Sequence, residues 1–309
     1  MSATSGGFGQ HGESPGTVHA ALATAQTGFA LFPIFGKLAL ATIPAMVFAA
    51  FRVVAASALL LLLRRVAGGE RLAPGHRGPM LLYALLGVSF NQVLFILGLS
   101  LTTAINTTIL TAMIPVYTLC AAALLGHERF TARAGTAILV AGAGVLLLLK
   151  AEHFDWRDDY FRGDLLLVAN GISYAFYLVL SRPILAHYRV LTVVSGVFTY
   201  GALPIVAAAM PALRRFSPAV VTPVGWASLA AVVLFCTVLP YFWNSWALAR
   251  THASRVAFYV FVQPLIASAL AVTVLGERLT LRTAAAALLI LTGLAVSLSP
   301  KRLPARPIP

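Results

Sequence analysis

Amide side chains stand inside long apolar segments of this chain, where a polar group is costly unless it meets a partner or a water-filled cavity. They are Asn91, Asn170, Asn244 and Gln263. Each amide carries donor and acceptor atoms that need several hydrogen-bond partners, and a polar solute can provide them. Cavity lining and bonding between packed helices are both open interpretations; the first predicts recognition of a small polar or amphipathic solute.

Hydroxyl-bearing side chains extend this candidate set of solute-binding residues. Each shares a helical face with an amide, a proline or another hydroxyl, and the set comprises Thr107, Thr111, Tyr174, Tyr177, Tyr241 and Tyr259. The alternative interpretation is structural, because threonine in a membrane helix often bonds to its own preceding turn and tyrosine often lies at the membrane interface. For a single threonine the structural interpretation is favoured.

Arg52 is the one ionisable residue well inside an apolar segment. A bare charge at that depth is expensive. Backbone carbonyls or lipid headgroups can satisfy the guanidinium, or a substrate carboxylate can pair with it. The sequence alone favours the structural options, but Arg52 belongs with the candidate solute-binding residues.

Common catalytic, nucleotide-binding and metal-binding patterns are absent from the sequence. It contains no GxxxxGK[ST] phosphate loop, no HExxH and no GxSxG, and its two cysteines and seven histidines have no ligand spacing. We therefore expect no metal, no cofactor, no ATP-driven pumping and no enzymatic activity.

No acidic residue stands in the middle of an apolar segment. Proton-driven pumps usually carry a carboxylate or a histidine there, so facilitated diffusion or solute exchange explains the sequence more simply. A membrane-embedded enzyme acting on a lipid or lipid-linked substrate is the alternative. Its paired carboxylates would have to come from Asp155, Asp158, Asp159 and Asp164, which more simply belong to a solvated loop.

The overall composition places these side chains in a membrane. Of 309 residues, 60% are hydrophobic and only 10% are charged, whereas soluble domains carry about 25% charged residues. The net charge of +13 comes from Lys and Arg in short gaps between apolar runs, as in membrane loops. This pattern excludes a nucleic-acid-binding surface, which would need a basic stripe on a soluble domain.

Ten segments approach the roughly 20 apolar residues that a membrane-spanning helix needs. In chain order, and numbered spans 1 to 10 below, they are His19–Leu38, Ile43–Leu63, Pro79–Leu99, Ala104–Leu125, Arg133–Leu149, Asp164–Leu185, Val190–Leu213, Pro223–Leu248, Ser254–Leu275 and Leu281–Leu298. A helix satisfies its backbone within lipid, so the predicted class is all-α. The excess of Lys and Arg between alternate spans predicts the inner cell membrane with both termini cytoplasmic.

The two halves of the chain repeat each other at an offset of 149 residues. The matched pairs are Ala104 with Ala253, Pro115 with Pro264, Glu128 with Glu277, and Gly144 with Gly293. We therefore expect a disordered lead-in (1–18), a first repeat (19–149), a connecting loop (150–163), a second repeat (164–299) and a basic tail (300–309). Five spans per repeat, an odd number, predict that the second repeat is inverted, as in many secondary transporters.

The equivalent prolines, Pro115 and Pro264, stand near the middle of spans 4 and 9. A proline removes one backbone hydrogen bond and frees a carbonyl. A packing kink and a pair of hinges are both open interpretations, and the equivalence of the two positions favours hinges.

The segments AINTTILTAMIPVYTLCAAALLGHERFT (Ala104–Thr131) and ASRVAFYVFVQPLIASALAVTVLGERLT (Ala253–Thr280) resemble the two repeats of EamA-type drug/metabolite transporters. FRVVAASALLLLLRR (Phe51–Arg65) resembles their second span. The resemblance implies ten helices as two inverted five-helix repeats around a central cavity. It also implies transport, often export, of amino acids or other small metabolites.

The sequence therefore predicts a secondary transporter that works by alternating access. Spans 3, 4, 6, 8 and 9 carry the polar side chains and would line the cavity, while spans 5 and 10 carry mostly small and aliphatic residues and would form a scaffold. The expected partners are a small-molecule solute and membrane lipid, and the expected state is a monomer or homodimer.

Overall fold

The computed structural model describes residues 15–126, 132–149, 157–248, 259 and 262–298. Within these residues the secondary structure is helical, with turns and no strand. Seven helices are long and apolar enough to cross a membrane, and three shorter apolar helices accompany them. The all-α, multi-span prediction is confirmed at this level.

The helices follow the predicted spans, with some spans divided. In the first half they are Pro15–Leu40, Ala45–Val66, Arg77–Ala84, Leu85–Phe90, Asn91–Leu101, Ala104–Thr111, Ile114–Leu124 and Ala132–Leu148. In the second half they are Asp159–Leu180, Arg182–His187, Val190–Arg215, Pro223–Val233, Leu234–Val238, Leu239–Leu248, Val262–Leu275 and Leu281–Leu298. Two 3₁₀ turns, Pro74–His76 and Pro218–Val220, precede spans 3 and 8.

Two helices begin four or five residues earlier than the predicted spans. Span 1 is helical from Pro15, so residues 15–18 of the predicted lead-in belong to the helix, and residues 1–14 lie outside the described residues. Span 6 is helical from Asp159 because the Asp158 carboxylate accepts a hydrogen bond from the Tyr160 amide and caps the helix. Much of the predicted start of span 9 lies outside the described residues.

The most extensive helix contacts join spans from different halves. Span 1 packs on spans 8 and 9, and span 6 packs on spans 3 and 4. Span 2 packs on spans 7 and 8, and span 7 also packs on span 3; span 4 packs on span 9, and span 5 on span 10. Each span of the first half corresponds to the span five places later, so that span 1 corresponds to span 6 and span 2 to span 7. When every span is replaced by its counterpart, the same set of contacts is obtained.

Spans 5 and 10 pack chiefly on each other through two glycines. A Cβ on Gly144 would lie 2.8 Å from the Ala286 carbonyl oxygen, and a Cβ on Gly293 would lie 2.7 Å from the Ala137 carbonyl oxygen. Small residues at such contacts let two helix backbones approach closely in a membrane. The two contacts are reciprocal, because the glycines are 149 residues apart, as are Ala137 and Ala286.

Candidate functional site

Spans 3 and 8 are each interrupted by a π-helix at equivalent places. The segments are Leu85–Phe90 and Leu234–Val238, whose first residues are 149 apart. A π-helix disturbs the regular ladder of backbone hydrogen bonds and often occurs at functional sites. Sequence reasoning missed both segments.

Each π-helix presents an equivalent carbonyl to a helix of the other half. The Ser173 hydroxyl of span 6 donates to the Leu86 carbonyl oxygen at 2.8 Å. In the counterpart contact, Gly28 of span 1 packs so closely on the Phe235 carbonyl oxygen that a Cβ there would collide with it. Leu86 and Phe235 are 149 residues apart, so the two contacts are counterparts with different chemistry.

Arg52 lies at the second π-helix. Its side chain is buried, at 3% exposure, and its Nε donates to the Thr237 hydroxyl at 3.0 Å. The guanidinium carbon stands 4.2 Å from the centre of the Phe32 ring, an arrangement that attracts a cation to the aromatic face. Thr237 in turn donates to the Val232 carbonyl oxygen at 2.8 Å.

Tyrosine side chains adjoin Arg52. Tyr241, one turn after Thr237, interacts electrostatically with both Arg52 and Tyr174, and the rings of Tyr174 and Tyr177 are 5.5 Å apart. Four predicted solute-binding residues, Arg52, Tyr174, Tyr177 and Tyr241, therefore come together. We name these four residues the central cluster.

Aromatic and amide groups pack around Tyr241. The rings of Phe29 and Phe198 meet its ring edge-on, at 5.5 Å and 5.2 Å between ring centres. The Gln92 side chain lies close to the Tyr241 hydroxyl. Gln92 was not among the predicted site residues, although a buried amide beside Asn91 in an apolar segment was a signal for it.

Two crevices lie beside the central cluster. The narrower one has no interior space large enough for a water molecule and is lined by residues that include Gly87, Tyr177, Val194, Phe198 and Tyr241. The wider one has a volume of about 120 Å³ and shares Val194 and Tyr241 with the first. It extends along spans 2, 7 and 8 to Leu60, Val190 and Trp246.

A second polar group joins spans 1, 8 and 9. The Gln26 amide nitrogen donates to the Asn244 side-chain oxygen at 3.2 Å, and the Gln263 amide nitrogen donates to the Gln26 side-chain oxygen. Two predicted residues, Asn244 and Gln263, thus meet through Gln26, which sequence reasoning missed. We name these three residues the amide cluster. Tyr259 lies elsewhere on span 9, with its hydroxyl hydrogen-bonded to the His19 ring.

The remaining predicted residues make helix–helix or local contacts. The Asn170 amide nitrogen donates to the Asn91 carbonyl oxygen at 2.7 Å and ties span 6 to span 3. Thr107 and Thr111 donate to the carbonyl oxygens of Thr103 and Thr108 in their own helix. A solute-binding role for these four residues stays a prediction.

One of the two predicted hinge prolines, Pro115, occupies the first turn of a helix. Span 4 breaks at Ala112 and Met113, and Pro115 is the second residue of the helix that follows, where its missing N–H has no structural cost. Pro264 is the third residue of Val262–Leu275, and residues 260 and 261 before it lie outside the described part of the chain. Hinge motion at either proline stays a prediction.

Asp164 is buried, which corrects its assignment to a solvated loop. It is 2% exposed, and its two carboxylate oxygens accept hydrogen bonds from Thr102 Oγ1 at 2.5 Å and Asn106 Nδ2 at 2.9 Å. The sequence signal was misleading because Asp164 follows three loop acids. Its helix, however, begins at Asp159 and carries it inward.

Two other candidate catalytic acids, Asp158 and Asp159, also have structural partners. Asp158 caps its helix, and Asp159 pairs with Arg162. Asp155 lies outside the described residues. These contacts account for the three described acids without a catalytic role.

Glu277 fastens the loop between spans 9 and 10 to the start of span 4. Its carboxylate accepts hydrogen bonds from the backbone amides of Ala104 at 2.7 Å and Ile105 at 3.0 Å. Negative charge at a helix N-terminus is favourable, because the first amides have no partner within the helix.

Replacing Glu277 by alanine is therefore expected to reduce the free energy of unfolding. Two part-buried amides would lose a charged partner, at a cost of about 1–3 kcal/mol. Unfolding of the purified protein by titration with a denaturing detergent measures this change. Asp159→Ala is the control, since it removes an exposed ion pair worth about 0–1 kcal/mol; equal losses in both variants would contradict the prediction.

Apolar helices of membrane-spanning length that enclose a buried polar cluster define a multi-pass membrane protein with an internal polar site. Comparison with known proteins identifies the family. The EamA-like transporter family matches residues 17–150 and again residues 161–299. The chain belongs to this family, within the drug/metabolite transporter superfamily, and is a membrane transporter.

Similar proteins come from distant organisms. An uncharacterised transporter of Archaeoglobus fulgidus is 27% identical over 214 residues, covering 68% of this chain and 72% of that protein. Protein WALLS ARE THIN 1 of Arabidopsis thaliana is 27% identical over 319 residues, covering 90% of this chain and 81% of that protein. One solved crystal structure has a TM-score of 0.63 at 19% identity and covers 92% of this chain and 97% of its own, so it shares the fold.

Proposed function

We propose that this protein is a secondary transporter of small metabolites, such as amino acids, that works by alternating access and acts mainly as an exporter. Its ten spans would form two five-helix repeats of opposite orientation. The observation that carries the proposal is the set of the most extensive helix contacts between halves, which is unchanged when each span is exchanged with its counterpart. Two halves related in this way can exchange conformations and so open a shared site to each side in turn.

Individual contacts support the same relation. Arg52 of span 2 meets Thr237 of span 8, and Gly201 of span 7 meets Val88 of span 3, with 2.7 Å between a Cβ on Gly201 and Val88. Arg52 and Gly201 are 149 residues apart, and so are Val88 and Thr237. The reciprocal glycines of spans 5 and 10 are a further pair.

The two ends of the bundle are held by contacts of different strength. At the end where span 3 finishes, buried Asp164 binds Thr102 and Asn106. At the other end, near Val190, Arg189 and Glu70 form an exposed ion pair at 3.6 Å, and the Arg189 backbone amide donates to the Glu70 carboxylate at 3.0 Å. An exposed pair contributes about 0–1 kcal/mol, whereas breaking a buried charged contact costs more. We propose that the Arg189–Glu70 end, toward which the wider crevice extends, opens first from this state.

The positions of the described carboxylates argue against coupling of solute transport to protons. Those within helices lie near helix ends, and Asp164 already accepts two hydrogen bonds from side chains. We propose facilitated diffusion or solute exchange, in a monomer or homodimer whose termini lie in the cytoplasm. Reconstituted protein should then exchange a labelled solute, chosen from an amino-acid panel, across liposomes without a pH gradient. A strict requirement for that gradient would contradict the coupling.

The inverted arrangement is tested separately by reporters in the loops at Glu128 and Glu277. If the repeats have opposite orientations, the two reporters report opposite faces of the membrane. Reporters on the same face would overturn the two-repeat arrangement and the alternating-access mechanism built on it.

A further inference from the structure

We propose that the end of the bundle near Val190 is closed by a gate that opens when two histidines, His76 and His187, become charged. One side of the gate is the loop between spans 2 and 3 (residues 67–76), and the other is residues 187–189, just before span 7. We name these two segments the histidine gate. The inference rests on the proposed transport function and adds a regulation to it: mild acid would open one end of the transporter without any proton being transported.

The Tyr188 side chain joins the two segments of the histidine gate. Its hydroxyl oxygen accepts a hydrogen bond from the Ala73 amide at 3.1 Å and lies 2.8 Å from the ring nitrogen Nδ1 of His76. The hydroxyl proton is not needed for the bond with Ala73, so a neutral His76 ring can accept it at Nδ1. A protonated imidazole has no acceptor nitrogen, so charging His76 takes away the partner of this proton.

The rings of His76 and His187 face each other across the gate. Their centres are 5.7 Å apart and their planes are inclined by 61°. His187 Nδ1 donates to the Pro183 carbonyl oxygen at 2.8 Å, a bond that both its neutral and its charged form can make, so charging does not release this ring. Two positive charges at such a distance repel each other more strongly near a protein surface than in bulk water. The repulsion acts only while the gate is closed.

The charges around the two histidines are already mostly positive. Glu70 is the one acidic residue among residues 64–77 and 187–189, all of which the structure describes. Its carboxylate is engaged by the Arg189 backbone amide at 3.0 Å and by the Arg189 side chain at 3.6 Å. The arginines in the same two segments are Arg64, Arg65, Arg71, Arg77 and Arg189. Protonated histidines would therefore add charge of the sign that is already in excess.

The corresponding contact at the opposite end of the bundle has no titratable side chain. It joins residues 41–44, before span 2, to the first turn of span 8 at residues 223–226, and the structure describes both segments in full. Gly225, which is 149 residues after His76, packs so closely on Thr42 that a Cβ there would lie 2.5 Å from the Thr42 hydroxyl oxygen. Acid therefore weakens one end and not the other, which favours the orientation that is open near Val190.

Histidine changes its charge between about pH 5 and pH 8, and its two gate positions can exchange protons with water, since His187 is exposed and His76 is half-buried. The test measures the separation of the two segments on purified full-length protein. Spin labels are attached through Gly75→Cys and Pro183→Cys, both at exposed positions. Between about pH 7.5 and pH 5.5 we expect the fraction of molecules with separated labels, measured by pulsed electron resonance, to rise at least about threefold.

The matched control is a label pair across the opposite end. It uses Ala41→Cys and Val224→Cys, which are also exposed, and both label pairs are placed in a background with Cys120→Ala and Cys236→Ala. No rise in separation is expected for this pair over the same pH range, because its contact has no group that changes charge.

Changes in the gate itself are expected to remove its response to pH. In the double variant His76→Gln, His187→Gln the separated fraction should not depend on pH, since glutamine stays neutral and still offers hydrogen-bonding atoms. Tyr188→Phe lacks the hydroxyl that joins the two segments, so it should raise the separated fraction already at about pH 7.5.

A separated fraction that is the same at both pH values in the wild type, or that rises equally in the histidine double variant, would overturn the inference. An equal rise at both ends would also do so, and this comparison needs no gate variant to fold. Solute exchange in liposomes with the same pH on both sides distinguishes the two proposals. Exchange with no pH dependence of either the rate or the label separation would keep transport and reject the gate. A gate that separates in acid in a protein that exchanges no solute would keep the gate and reject transport.

Discussion

Gly293→Leu is expected to separate spans 5 and 10 and to lower the stability of the protein. A Cβ at Gly293 would lie 2.7 Å from the Ala137 carbonyl oxygen, the Ala141 amide nitrogen and the Ala141 Cβ. These atoms belong to or adjoin the backbone of span 5 and cannot rotate away. Overpacking of this kind typically costs about 1–3 kcal/mol, and we expect the upper end of that range.

The measurement is the free energy of unfolding of purified protein, with size-exclusion chromatography to follow folding. Gly144→Leu should have a similar effect, because its Cβ would meet the Ala286 carbonyl oxygen at 2.8 Å. Gly142→Leu is the matched control on the same helix, since a Cβ there meets nothing within 4 Å. If Gly293→Leu and Gly142→Leu are equally stable, the close contact of spans 5 and 10 does not exist.

Asn244→Leu is expected to abolish transport and to leave expression intact. Its side-chain oxygen accepts from Gln26, which in turn accepts from Gln263, so the change disconnects spans 1, 8 and 9 at a polar junction. The amides would otherwise orient the solute. Initial rates of solute exchange in liposomes, normalised to protein amount, measure the effect.

Asn170→Leu is expected to abolish transport as well, because it removes the hydrogen bond to the Asn91 carbonyl oxygen between spans 6 and 3. Thr292→Leu replaces an exposed polar residue of span 10 and serves as the control for added apolar bulk. Unchanged exchange rates in both asparagine variants would show that these side chains are not part of the solute path.

The sequence was sufficient for the class of fold and the family. Apolar length predicted the helices, and the paired motifs around Pro115 and Pro264 predicted membership of the EamA-like family, which the two matches confirm. The pairing of Gly144 with Gly293 was visible as a repeat. That each glycine packs against the other's helix was not, because a match in sequence does not say which helices touch.

The site was only partly predictable for a related reason. Polarity inside apolar segments pointed to Arg52, Asn244 and the tyrosines, but not to which of them meet. Gln26 was missed because its importance lies in contacts 218 and 237 residues away along the chain. The π-helix Leu234–Val238 contains neither glycine nor proline, so no local sequence pattern predicts it. Its geometry depends on packing.

The different contacts at the two π-helices affect the relative populations of the two orientations of the empty transporter. A molecule with perfect internal symmetry would spend equal time facing either compartment. Here the Ser173 hydroxyl satisfies the Leu86 carbonyl, whereas Gly28 has no side chain with which to satisfy Phe235. A hydrogen bond formed in one orientation only contributes about 0.5–1.5 kcal/mol. If the halves trade conformations, the empty carrier would favour one orientation roughly two- to tenfold.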